Sequence, residues 1–253
     1  MSSLKRQLAE RPHLGIFVKI PSTEIVEMIA WSGFDFIVID TEHSPLSYND
    51  VKMLTSVAQP QGLKVVVRPW NFADETLLHV LDTGVDGIQV PQLNGPGDAE
   101  KIVRAGRYPP LGTRGVAFSH RAGRYGFCDT KAYVKESNEE TLIVAHIETR
   151  TAFDSMRGIA RTAGIDILFL GPVDLSFSLG TDADYVNGGL KEAFLKMNAE
   201  AREAGKQMGT VVTDEKKLEF CLNHGIHYLI WDTDVGLFKK QLTAVRQTVK
   251  NYF

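Results

Sequence analysis

Eight short apolar runs, each followed by a segment of helical spacing, recur along the chain, and few folds accept that order. The runs cover 14–20, 34–40, 64–69, 87–92, 142–148, 166–172, 207–212 and 227–234. Helical patterns fill 22–31, 48–58, 74–83, 98–105, 129–135, 151–164, 190–204, 218–223 and 237–249, and a short amphipathic segment at 5–10 is placed to close the bottom of the domain. Runs such as FDFIVID and KVVVRP are too apolar to leave one face in water. Strands of that kind belong to parallel sheets covered by helices on their faces. Eight strand–helix units favour closure into a barrel over an open sheet, and 253 residues is the customary size of one. No linker, repeat or low-complexity tract divides the chain. The expectation is an α/β protein, a single (β/α)8 TIM barrel spanning residues 1–253. The one long irregular segment, 107–127, is of the length that usually serves function.

Charge excludes two classes of partner. Lys+Arg 28 against Asp+Glu 31 leaves a net charge of −3, without the basic surface that nucleic acid or an anionic membrane requires. The two cysteines, Cys128 and Cys221, match no metal or redox spacing and read as unpaired thiols in a reducing compartment. The N-terminal residues have no apolar core for a secretory signal, and no apolar run approaches the ~20 residues needed to span a bilayer. A cytoplasmic enzyme is expected.

In such barrels the chemistry lies at the C-terminal ends of the strands. Those ends carry Lys19, then Asp40 with Glu42 and His43, Arg68, Gln92, His146 with Glu148, Asp174, and finally Asp232 and Asp234. Two successive strands ending in Glu148 and Asp174 put two carboxylates at one rim, which points to a divalent cation of the Mg²⁺ or Mn²⁺ type. Asp174 could instead cap the helix after it. Arg68 could simply pair with a rim carboxylate, itself a common active-site device. Asp40 and Glu42 flank His43 and could fix its tautomer and raise its basicity, as a general base requires. Past Gly171, the backbone N–H groups entering the next helix suit a carboxylate or phosphate. No dinucleotide loop, Walker loop or Ser–His–Asp signature is present.

Taken together, DTEHSP (40–45), VVVRP (65–69), Val90-Pro91, RYPPLGTRG (107–115), HIET (146–149) and GPVDLSFSLG (171–180) resemble the metal-dependent pyruvate aldolases. That family includes 4-hydroxy-2-oxoheptanedioate aldolase and 2-dehydro-3-deoxyglucarate aldolase. The resemblance runs from Gly15 to near the end of the chain. It implies a barrel that reversibly cleaves a 4-hydroxy-2-oxo acid to pyruvate and an aldehyde, with Mg²⁺, Mn²⁺ or Co²⁺ as cofactor. It further implies Glu148 and Asp174 as metal ligands, Arg68 against the oxygen that becomes enolate, and His43 as base with Asp82 raising its basicity. Gly171, Val173 and Asp174 would receive the pyruvyl carboxylate, and His146 and Phe17 would line the substrate pocket. The family commonly forms hexamers. Apolar spacing along 237–249 suits packing on a neighbour, and equally on its own barrel.

Three positions depart from the family pattern. His146 stands where glutamine is usual, Phe17 where tryptophan is common, and Lys19 where a small residue is expected. Lys19 opens an alternative, a Schiff-base aldolase with that lysine as nucleophile. A citramalyl- or malyl-thioester lyase on the same barrel is a second, and a barrel that senses metal or keto acid without turnover is a third.

Overall fold

The structure, a computed structural model, describes residues 3–250 and 252. Its strands are β1 (His13–Val18), β2 (Phe36–Asp40), β3 (Lys64–Arg68), β4 (Gly87–Val90), β5 (Leu142–Ile147), β6 (Ile167–Leu170), β7 (Gln207–Val212) and β8 (Tyr228–Thr233). They pair in chain order, all parallel, and β8 closes on β1. The expected TIM barrel is therefore present.

Among the described residues, ten α-helices accompany the strands after α1 (Leu4–Glu10): α2 (Thr23–Trp31), α3 (Tyr48–Ala58), α4 (Asp74–Asp82), α5 (Pro96–Gly106), α6 (Thr130–Glu140), α7 (Arg150–Arg161), α8 (Pro172–Leu179), α9 (Lys191–Glu203), α10 (Glu215–Asn223) and α11 (Asp234–Val249). Strands β6 and β8 stop earlier than their apolar patterns suggest because caps take over. Gly171 caps α8 with Pro172 in its first turn, and the Thr233 side chain accepts from Gly236 N to start α11 at Asp234 rather than 237. Asp129 caps α6 through Ala132 N, and that helix runs on to Glu140, past the expected 135.

Period-two alternation sorts each strand into an outward and an inward face. Outward residues such as Ile37, Ile39, Val65 and Val67 join the layer between strands and helices. Inward residues Phe36, Val38, Val66, Val144, Phe169 and Tyr228 fill the barrel interior. Leu4 and Leu8 of α1 complete that inner cluster, so the N-terminal helix closes the floor as expected. Each fully buried aliphatic or Phe side chain contributes about 1.5–3 kcal/mol relative to exposure. The apolar majority of both layers thus offsets the cost of charged groups at the inner strand ends. Following the same inward register, Phe17 leads to Lys19, Val38 to Asp40, Val66 to Arg68, Val144 to His146 and Glu148, and Phe169 to Gly171. The rim chemistry follows from the pleat.

Along α11, Phe238, Leu242 and Val245 are more than half exposed, so this barrel leaves that apolar face uncovered. Among the described residues, no helix is long and apolar enough to cross a membrane. Cys128 and Cys221 are both free thiols.

Candidate active site

The rim is organised around the Arg68 guanidinium. Its Nε and Nη2 donate to the two oxygens of Asp40 at 2.9 and 2.8 Å, a two-pronged pair that fixes the plane of the group. Below it lies the Phe17 ring, with Arg68 Cζ 4.7 Å from the centroid. Arg68 Nη1 stands 3.3 Å from Glu42 Oε2. Burial works against the Arg68 cation, but bonding to Asp40 and the charges of Asp40, Glu42 and Glu148 outweigh it and raise its pKa. Burial likewise pushes the Asp40 carboxyl up, and Arg68, together with Lys19, pulls it below its ordinary range.

From Arg68 the polar contacts continue around the rim. Glu42 Oε1 accepts from Gln92 Nε2 at 2.8 Å, and Gln92 N donates to Glu148 Oε1 at 2.6 Å. To aim both groups, Gln92 takes φ +60, a left-handed backbone that a glutamine rarely adopts and that clusters at functional sites. Glu148 Oε2 faces His146 Nδ1 at 2.8 Å. Burial raises the Glu148 pKa, but the facing His146 ring, the Gln92 N–H and the Arg68 charge outweigh it and hold the carboxyl below its ordinary range, so the carboxylate is ionised at neutral pH.

Most of the expected residues converge here, with different neighbours from those anticipated. Asp40 does not orient the His43 ring. It accepts from the His43 and Glu42 backbone N–H groups at 3.3 and 3.2 Å, and its side-chain partners are Arg68 and Lys19. The carboxylate nearest the His43 ring is Glu42, whose Oε2 lies 3.6 Å from Nε2. That buried oxygen has hydrogen-bond geometry with no neighbour, although two cationic side chains face it. Asp82 is not brought to His43 within the chain. It ends α4, which runs from the rim to the floor, and there its carboxylate takes Arg114 Nη2 at 2.7 Å with His120 Nε2 at 3.4 Å. A cavity of about 1190 Å³ opens beside this floor cluster, away from the C-terminal strand ends.

His146 is buried with both ring nitrogens engaged, Nε2 by Gln89 and Nδ1 by Glu148, so it backs the site rather than facing a pocket. Phe17 is also buried, serving as a seat for Arg68 instead of a pocket mouth. The sequence reading missed Gln89, which lies one strand-turn below the rim on the inner face of β4, and Tyr228, which donates to it at 2.7 Å. Both were signalled by the inward register. Asp234 is structural: its carboxylate accepts from Lys19 N and Ile20 N and ties the end of β1 to α11.

The donors present fit a hard divalent cation. Glu148 is an ionised carboxylate with lone pairs to spare after its two hydrogen bonds. Gly171 packs directly on it, and Asp174, exposed, lies in the first turn of the helix that Gly171 caps. In that turn the N–H groups of Val173 and Asp174 have no intrahelical acceptor and suit an anionic ligand. Among the described residues no group of three or more His, Cys, Asp or Glu side chains converges. Two carboxylates with water and substrate oxygens for the remainder is the habit of Mg²⁺ and its relatives. A Cβ at position 171 would come 3.1 Å from both Glu148 Cβ and Oε2. Gly171→Ala should therefore weaken Mn²⁺ binding about tenfold with little change in thermal midpoint. Isothermal titration checks this, and unchanged binding would remove Gly171 from the site.

A family model described as HpcH/HpaI aldolase/citrate lyase matches residues 13–240. Over 230 residues the chain is 32% identical to a 2-keto-3-deoxy-L-rhamnonate aldolase of Klebsiella pneumoniae, covering 90% of this chain and 85% of that one. The crystal structure of an HpcH/HpaI aldolase from Desulfitobacterium hafniense superposes with a TM-score of 0.93 at 28% identity, covering 99% and 97% of the two chains. That of the citrate synthase SbnG superposes at 0.89 with 27% identity, covering 99% and 98%. With the match spanning the barrel and the strand ends that carry the site, this chain belongs to the HpcH/HpaI aldolase/citrate lyase family and is a carbon–carbon lyase of the aldolase kind.

Proposed function

We propose that the enzyme reversibly cleaves a 4-hydroxy-2-oxo acid to pyruvate and an aldehyde. The observation that carries this is the continuous contact from Arg68 through Glu42 and Gln92 to Glu148, which holds a buried cation and an ionised carboxylate on one arc of the rim. A divalent cation held by Glu148 and Asp174 would supply Lewis-acid polarisation of the 2-keto oxygen. His43 takes the proton of the 4-hydroxyl, and Glu42 beside it steadies the resulting imidazolium. As the C3–C4 bond breaks, its electron pair forms the C2–C3 double bond of the pyruvate enolate, C4 leaves as the aldehyde carbonyl, and negative charge collects on the 2-oxygen. Arg68, already locked in plane by Asp40, donates to that oxygen without reorganising. The free N–H groups of Val173 and Asp174 receive the carboxylate. A proton returned to C3 completes pyruvate.

Lys19 does not suit the Schiff-base alternative. Its ammonium is 3.3 Å from buried Asp40, an ion pair, whereas a nucleophilic lysine needs surroundings that free its lone pair. The uncovered face of α11 supports assembly of several copies, which size-exclusion chromatography with light scattering checks. Substrate scope is read from a coupled pyruvate assay over 4-hydroxy-2-oxo acids of different length and charge, with Mg²⁺, Mn²⁺ or Co²⁺ and with a chelator. Including 2-keto-3-deoxy sugar acids follows from the rhamnonate aldolase similarity. Pyruvate release abolished by chelator is expected. Release that survives chelation and is trapped by borohydride would reject the scheme.

A further inference from the structure

Behind Glu148 a file of polar side chains enters the barrel core, and the reaction above makes no use of it. Tyr228 Oη–H donates to Gln89 Oε1 at 2.7 Å. Gln89 Nε2 lies 2.7 Å from His146 Nε2, and His146 Nδ1 lies 2.8 Å from Glu148 Oε2. All four side chains are buried.

Each link sets the direction of the next. The phenol hydrogen engages Gln89 Oε1, which turns the amide NH₂ toward the imidazole. An amide N–H only donates, so His146 Nε2 must accept. The single hydrogen of a neutral ring then sits on Nδ1, aimed at Glu148. The other tautomer would oppose two N–H groups at one end and two lone pairs at the other, in an interior where unmatched polar groups are costly. Ring packing keeps the file in place. His146 stacks on Phe169 and Tyr228 on Phe36, each with centroids 4.7 Å apart.

We infer that Tyr228 and Gln89 are positioning residues that set the tautomer of His146, so that its imidazole serves Glu148 as a hydrogen-bond donor and is withheld from the cation as a nitrogen ligand. This rests on the proposed cation at Glu148. Its consequence is specific to the chain: although a histidine replaces the usual glutamine beside a metal carboxylate, the donor set remains oxygen, which suits Mg²⁺ or Mn²⁺ over softer ions.

The first measurement needs neither metal nor turnover. In metal-free protein with ¹⁵N-labelled histidine, the His146 ring signals are identified by their loss in H146N and report which nitrogen carries hydrogen. Hydrogen on Nδ1 is expected in the wild type, a mixture of tautomers in Y228F, and hydrogen on both nitrogens in Q89E, where a carboxylate that can only accept faces Nε2 while Glu148 still accepts at Nδ1. Hydrogen on Nε2 or on both nitrogens in the wild type at neutral pH, or ring nitrogens that carry hydrogen as in the wild type in both variants, overturns the inference. The second measurement is Mn²⁺ affinity by electron paramagnetic resonance. Y228F should bind about tenfold more weakly and H146L about 10–100-fold more weakly, the usual weight of a ligand's outer partner. H146N, whose amide offers an N–H where Nδ1–H stood, should restore most of that loss. Equal affinity of H146L and wild type overturns the inference. A wild type that binds no Mn²⁺ rejects the cation reading itself, while the tautomer still decides the role of Tyr228 and Gln89.

Discussion

Arg68→Ala should lower turnover at least about 10²–10³-fold, the weight of one donor aimed at a developing oxyanion, while Mn²⁺ stays bound. The cation is retained because Arg68 competes with it for the same negative field. Removing the guanidinium leaves Asp40 and Glu42 with less positive charge nearby, so affinity for a divalent ion should hold or rise. Stability should suffer separately. A buried pair that loses one partner costs about 3–5 kcal/mol, equivalent to a fall of roughly 6–20 °C in a domain of this size. Lys19, 3.3 Å from the same Asp40 oxygen, places the loss toward the smaller end. Arg68→Lys separates the effects. It keeps a charge opposite Asp40 but lacks the planar fork, so it should recover much of the thermal midpoint and little of the turnover. Stopped-flow pyruvate release and calorimetry on both variants check this. Turnover by Arg68→Lys near the wild-type rate, or loss of Mn²⁺ from Arg68→Ala, would remove Arg68 from the role of enolate stabiliser.

Period-two patterning made the barrel legible, because strands with two dry faces admit few alternatives. It also delivered the rim: residues 19, 40, 68, 146, 148 and 171 continue the inward face of their strands. Which of them touch was not readable. Asp40 and Glu42 both flank His43 in sequence, yet the pleat points Asp40 inward to Arg68 and the chain turn after β2 leaves Glu42 near the ring. Asp82 was carried over from a family pattern, and helix direction puts it at the floor, where Arg114 holds it. Gln89 looked like an ordinary strand residue. Its meaning depends on Tyr228, 139 positions away, and only closure of the barrel brings the two together. Element ends were misplaced where a cap, such as Thr233 or Asp129, starts a helix among residues that also suit a strand or loop.

Glu148→Ala should abolish cation retention and with it turnover, a larger loss of affinity than the about 10–100-fold that an outer partner such as His146 carries. The change also strands two donors. Gln92 N–H, held at φ +60 against Glu148 Oε1, and the Nδ1 side of His146 both lose their acceptor; water can replace the bond at exposed Gln92, whereas the buried His146 group left unmatched costs about 1–3 kcal/mol. Glu148→Gln distinguishes the charge from the contacts. Its amide oxygen can still accept from Gln92 N or from His146, so most of the stability should remain, but the anion that draws a divalent ion is gone. Equilibrium dialysis with Mn²⁺ should therefore show both variants empty at concentrations that load the wild type, with Glu148→Gln melting closer to wild type than Glu148→Ala. Asp174→Asn, on an exposed side chain without buried partners, should weaken binding with almost no change in stability. If Glu148→Gln retained Mn²⁺ with wild-type affinity, the cation would have to be held elsewhere, and the Lewis-acid role assigned to Glu148 and Asp174 would be lost.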